Sequence, residues 1–158
     1  MIEHLPALMV ALPLFGAFIA PLFKKHYKGV SIWAIFITGI SVVLSLLLMK
    51  EVVTNGIIMY VFGADKPTLV LPSGYAVPIR IMFEVDAMGA FMAISATLMS
   101  FVGAIYSYSH VKKDTGLEKY YALLMLLEAG ILGMVLTGDL FNLFVFLEIA
   151  GIAGSALV

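Results

Sequence analysis

The chain has 158 residues, 63% of them apolar and 12% charged, a net charge of −1 and a mean hydropathy of +1.10. A soluble domain averages about 45–50% apolar and about 25% charged residues, so this composition excludes a soluble globule and fits a polytopic membrane protein. The near-neutral balance offers no basic field for nucleic acid, and the absence of cysteine excludes disulfides, thiolate metal sites and iron–sulfur clusters on this chain.

A helix crosses the hydrocarbon core with about 20 mostly apolar residues. Five stretches qualify: 5–23, 30–49, 87–109, 120–137 and 140–158. No lysine or arginine precedes the first, and Lys24, Lys25 and Lys28 follow it. A secretory leader has the opposite polarity, so the first stretch is expected to stay as a span. Pro6 suits a first turn, whereas Pro13 is expected to kink the helix. The fifth stretch ends in GIAGSALV with no polar or aromatic flank. Either the protein stops where that span meets the headgroups, or it is part of something longer.

Between the second and third stretches, residues 50–86 hold Pro67, Pro72, Pro78, Gly56, Gly63 and Gly74. Short β-favouring runs (GIIMYVF, TLVL, VPIRIMF) lie between them. This is an extramembrane loop with a β-hairpin. The expected fold is therefore all-α and polytopic, with five transmembrane helices and an external hairpin-like loop between helices 2 and 3.

Lys24, Lys25, Lys28, Lys112, Lys113 and Lys119 fall in the loops on one side, against Lys50, Lys66 and Arg80 spread through the long loop on the other. The six-lysine side is expected to be cytoplasmic. The N-terminus then lies outside and the C-terminus towards the cytoplasm, in a plasma membrane.

Two carboxylates interrupt the spans: Glu128 in LLMLLEAGIL and Glu148 in LFVFLEIAGI. A charge at the bilayer centre costs about 2.5–3.5 kcal/mol on insertion scales, so such residues face a bundle interior or a water-filled path. Desolvation disfavours the charged form of a carboxyl group and a nearby cation restores it, which is the physical recipe for a proton relay. The plainer alternative is a protonated side chain hydrogen-bonded to a neighbouring helix. Gly138-Asp139 makes a tight turn, and each glutamate lies ten residues from Gly138, which puts both about 15 Å from the turn and at one depth. Their faces are not fixed by this spacing. Small residues after Glu148 form the pairs Ala150/Gly154 and Gly151/Ser155, and Ala129/Gly133 is another on helix 4. Such pairs let helices approach closely, so Glu148 is expected in a crowded interior. Asp139 is expected to cap helix 5, with Asn142 serving the same turn or lining a water entrance.

Thr137 to Ile149 reads TGDLFNLFVFLEI and resembles the fifth-helix motif of antiporter-like membrane subunits. These are the D-type subunits of Mrp sodium/proton antiporters, the H-type subunits of archaeal membrane-bound hydrogenases, and the large membrane subunits of respiratory complex I. YAVPIRIMFEVDAMGAFM resembles the family's approach to its third helix, with Asp86 at the matching aspartate. The resemblance implies a proton pathway at mid-membrane, with Glu148 as the essential relay glutamate. Glu128 has no place in the family's motif and is expected as a second station from its mid-span position alone. In the family that glutamate pairs with a lysine on a seventh helix of about fourteen. No helix beyond the fifth and no mid-span lysine is present here, so the expected partners are other membrane subunits, supplying the lysine and remaining helices, and the lipid bilayer. The alternative is a shortened, non-transporting subunit that packs or seals the membrane arm of such a complex.

His4, His26 and His110 fall at termini or helix ends, with no haem or zinc spacing. No cofactor or metal is expected on this chain, and no redox or hydrolytic chemistry is visible in it.

Overall fold

The computed structural model describes residues 4–23, 27–62, 69–70, 72, 76–77, 81–111 and 116–157. Its five helices are α1 (Leu5–Ile19), α2 (Tyr27–Asn55), α3 (Ala87–His110), α4 (Leu117–Leu136) and α5 (Leu140–Leu157). A 3-10 turn, Ala20–Phe23, extends α1. All five stretches are long and apolar enough to cross a membrane. Four short strands lie between α2 and α3: β1 (Ile58–Val61), β2 (Leu69–Val70), β3 (Ala76–Val77) and β4 (Met82–Val85). β1 pairs antiparallel with β4, Tyr60 opposite Phe83, and β2 pairs with β3.

α2 is longer than its apolar run. It continues through Lys50–Asn55, where Val52 is buried in the core and Asn55 Nδ2 donates to Glu51 Oε2 at 2.7 Å. Gly56 stops it at φ +83°, a left-handed position that glycine adopts without strain. At about 1.5 Å per residue the helix is about 44 Å long, well beyond a 30 Å hydrocarbon core. Its last turns therefore belong to the β-ribbon end. α1 is continuous helix through Pro13.

Helical spacing sets the contacts. α2 buries Val30, Ser31, Ala34, Ile37, Thr38, Ser41, Ser45, Leu48 and Val52, a single stripe at intervals of three and four. α3 meets it with small residues, Ala90, Ala93, Thr97 and Ala104, which allow close approach. The buried hydroxyls return hydrogen bonds to their own helix: Thr38 donates to Ala34 O, Ser41 to Ile37 O, and Thr97 to Ala93 O. Ser45 and Thr97 join across the α2–α3 seam at 3.0 Å.

The apolar core is split in two. One cluster, at the ribbon end, gathers Leu5, Met9, Leu48, Phe83, Val85, Leu132, Leu136 and Phe146. The other, at the opposite end, gathers Ala17, Ala20, Val30, Ile37, Tyr121 and Met125. The ribbon seals the first cluster: Phe83 packs on Phe146 with ring centres 6.3 Å apart, and His4 sits edge-on to Tyr60 at 5.5 Å.

Candidate functional site: two carboxylates on opposite sides of one helix pair

The α4–α5 turn is built on the ribbon. Thr137 is extended and bridges Phe83, and Gly138 N–H donates to Met82 O at 3.0 Å. Asp139 Oδ1 accepts from Phe141 N at 2.8 Å and Asn142 N at 3.2 Å. These are free N–H groups at a helix start, so Asp139 occupies the N-cap position of α5. Asn142 is buried, and its Nδ2 donates to Thr137 Oγ1 at 3.1 Å. Its side-chain amide is thus committed to the turn. Asp86 does the same at α3, its Oδ1 accepting from Gly89 N at 2.6 Å.

The α4–α5 seam is close. A Cβ on Gly130 would come within 2.8 Å of Ala150 N, and one on Gly133 would overlap the Phe146 ring. The residues that meet α4 are therefore Phe146, Ala150 and Gly154, whereas Gly151 and Ser155 point away and are exposed. This register sets Leu132 level with Glu148 and Ile152 level with Glu128, an offset of about 6 Å along the axis. The equal-depth expectation is corrected on this point. Thr137 is extended and, with Gly138, carries the chain onward before α5 turns back.

Glu148 is not in a crowded interior. It is exposed, on the face of α5 opposite the seam, with Phe141, Phe144, Val145, Leu147 and Ile152 around it. α5 buries only Asn142, Phe146 and Ala153, because it packs chiefly on α4. The small residues that suggested crowding divide between the two faces.

Glu128 is the reverse. It is 0% exposed, and neither carboxylate oxygen has a hydrogen-bond partner among the described residues. Ser41 faces it from α2, with its own hydroxyl turned to Ile37 O. The two carboxylates thus lie on opposite sides of the close-packed α4–α5 seam and are not brought together. Among the described residues no group of three or more metal-ligating side chains exists. His4 and His110 are exposed at helix ends, and His26 lies outside the described residues. An apolar cleft of about 670 Å³ between α3 and α4 is lined by Met88, Phe91, Met92, Met99, Leu124 and Leu127 among others, with no titratable group.

No protein-family model matches the chain. Over 161 residues, and all of its length, it is 30% identical to the N-type subunit of the NADH-quinone oxidoreductase of Desulforudis audaxviator (strain MP104C), covering 30% of that protein. Over 96% of its length it is 27% identical to the D-type subunit of the Na(+)/H(+) antiporter of Bacillus subtilis (strain 168), covering 29% of it. The same architecture occurs in the membrane-bound sulfane sulfur reductase, an archaeal respiratory membrane complex. The match there has a TM-score of 0.76 and 30% identity, over 96% of this chain and 29% of that one. The chain belongs to the antiporter-like membrane subunits. Antiporter-like subunits of this kind sit in multi-subunit membrane complexes, and this chain spans about 30% of the length of the relatives it matches.

Proposed function

We propose that this chain forms part of an ion-translocating subunit in a multi-subunit membrane complex, moving protons and, in an antiporter setting, sodium. Glu148 is its mid-membrane relay group. One observation carries the reading: Glu148 stands on an outward, otherwise apolar face of α5. Left against lipid, the carboxylate would cost about 2.5–3.5 kcal/mol or more. A cationic side chain of another membrane helix has to meet it, and Gly151 and Ser155, one and two turns further on, leave room for a helix to close over that face. A carboxylate whose counter-charge sits on a separate element can gain or lose its proton as that element moves.

Glu148→Gln keeps the shape and removes the charge. In complexes reconstituted into vesicles, it is expected to assemble normally and reduce proton movement to background. Wild-type transport by the variant would contradict the role and leave the subunit a scaffold of the membrane arm.

We also place the end bearing Lys24, Lys25, Lys28, Lys112, Lys113 and Lys119 in the cytoplasm. The cysteine-free chain makes this simple to check. A membrane-impermeant maleimide on intact cells is expected to label Met59→Cys on the ribbon and to spare Lys113→Cys; the opposite pattern reverses the topology.

A further inference from the structure

Glu128 is a buried carboxyl group that the Glu148 pathway does not use. It sits on α4 between the two apolar clusters, after Met125 of one and before Leu132 of the other. Ser41 of α2 faces it, Thr38 and Ser45 lie about a turn to either side on that helix, and Thr97 of α3 meets Ser45, all buried. α1 contributes Pro13: Gly16 packs against Met125 and Ile37, so Pro13 lies near the level of Glu128. A proline has no N–H, and the carbonyl four residues earlier, that of Met9, loses its helical donor there. Hydroxyls of α2 thus lie near a carboxyl group whose own oxygens have no partner among the described residues, and the freed Met9 carbonyl lies about a turn away towards the ribbon end.

No charged side chain among the described residues faces this position. α1 carries none; Lys28, Lys50 and Glu51 of α2 and His110 of α3 sit at helix ends; and Glu148 of α5 lies across the seam that Gly130 and Gly133 close. An isolated ionised carboxylate in such surroundings is costly, and a proton is the smallest counter-charge that removes the cost.

At the lysine-bearing end is a cleft of about 160 Å³ lined by Lys28, Ser31, Ser107, Tyr108 and Tyr121. Ser31, Thr38 and Ser41 share one face of α2, and Tyr121 and Glu128 lie two turns apart on one face of α4. Each two-turn interval is about 10 Å, too long for one hydrogen bond and spanned by about three waters.

We propose that Glu128 is a second proton-binding site, independent of Glu148, filled from the lysine-bearing end of the bundle along the Ser31–Thr38–Ser41 line. A proton from water in the cleft passes along this line to the carboxylate and returns by the same route, with no net chemistry.

Infrared difference spectra of the assembled complex test this directly. Wild type minus Glu128→Gln is expected to show the stretch of a non-ionised carboxyl group, present also in Glu148→Gln. In D₂O the band is expected to shift, and Thr38→Val is expected to slow that shift at least about tenfold without moving the band. Glu128→Asp, which keeps the carboxyl, should displace the band rather than abolish it, and it replaces Glu128→Gln if that variant fails to assemble. A wild-type spectrum without the band would overturn the site. Exchange in Thr38→Val at the wild-type rate would overturn the route.

Discussion

Asp139 shows how one side chain decides where a membrane helix begins. Its Oδ1 takes two N–H groups that would otherwise be unpaired at the start of α5. Removing such a cap costs about 0.5–2 kcal/mol. Asp139→Ala is thus expected to lower the thermal stability of the purified protein by that amount, and Asp139→Asn to recover most of it; equal stability of all three would show that the cap contributes nothing. The capping role of Asp139 could be read from its place before an apolar run. The facing of Glu148 could not. α5 is apolar on every side, so no periodic pattern distinguishes the face that meets α4 from the one that does not. Glu128 stood out by its chemistry, but its pocket is made by residues of α1 and α2 more than eighty positions away in sequence.

Between elements, glycine position sets the register. Gly130 and Gly133 let α5 lie against the backbone of α4, whereas Gly103 of α3 faces open space. Gly133→Ala has to displace the Phe146 ring, which plugs the ribbon end. Overpacking of this kind costs about 1–3 kcal/mol. Gly103→Ala adds a better helix former and nothing in its way, so it is expected to be neutral or slightly stabilising. Thermal unfolding in detergent separates the two; equal loss in both would deny the close seam. The small-x-x-x-small pattern marked α4 and α5 as packing helices, yet it did not say which small residues meet. The α2 boundary was hidden for another reason. Lys50-Glu51 reads as the end of a span, while helix propensity and the burial of Val52 carry the helix on until Gly56.

At the scale of the whole molecule, five spans and a β-ribbon were legible because hydropathy and proline–glycine clustering are local signals. The packing order is not local, and neither is the exposed face of α5. Ile152 on that face is 66% exposed and Phe144 60%, one turn to either side of the Glu148 carboxylate. A chain spanning about 30% of its relatives leaves this face open to whatever the assembled complex brings. The central claim is that this face meets a cation. A photo-crosslinking residue at Ile152 in the assembled complex tests it most directly. The expected product joins α5 to a membrane helix that carries a lysine, arginine or histidine at the depth of Glu148. Crosslinks to lipid alone, or to a helix without such a residue, would contradict it.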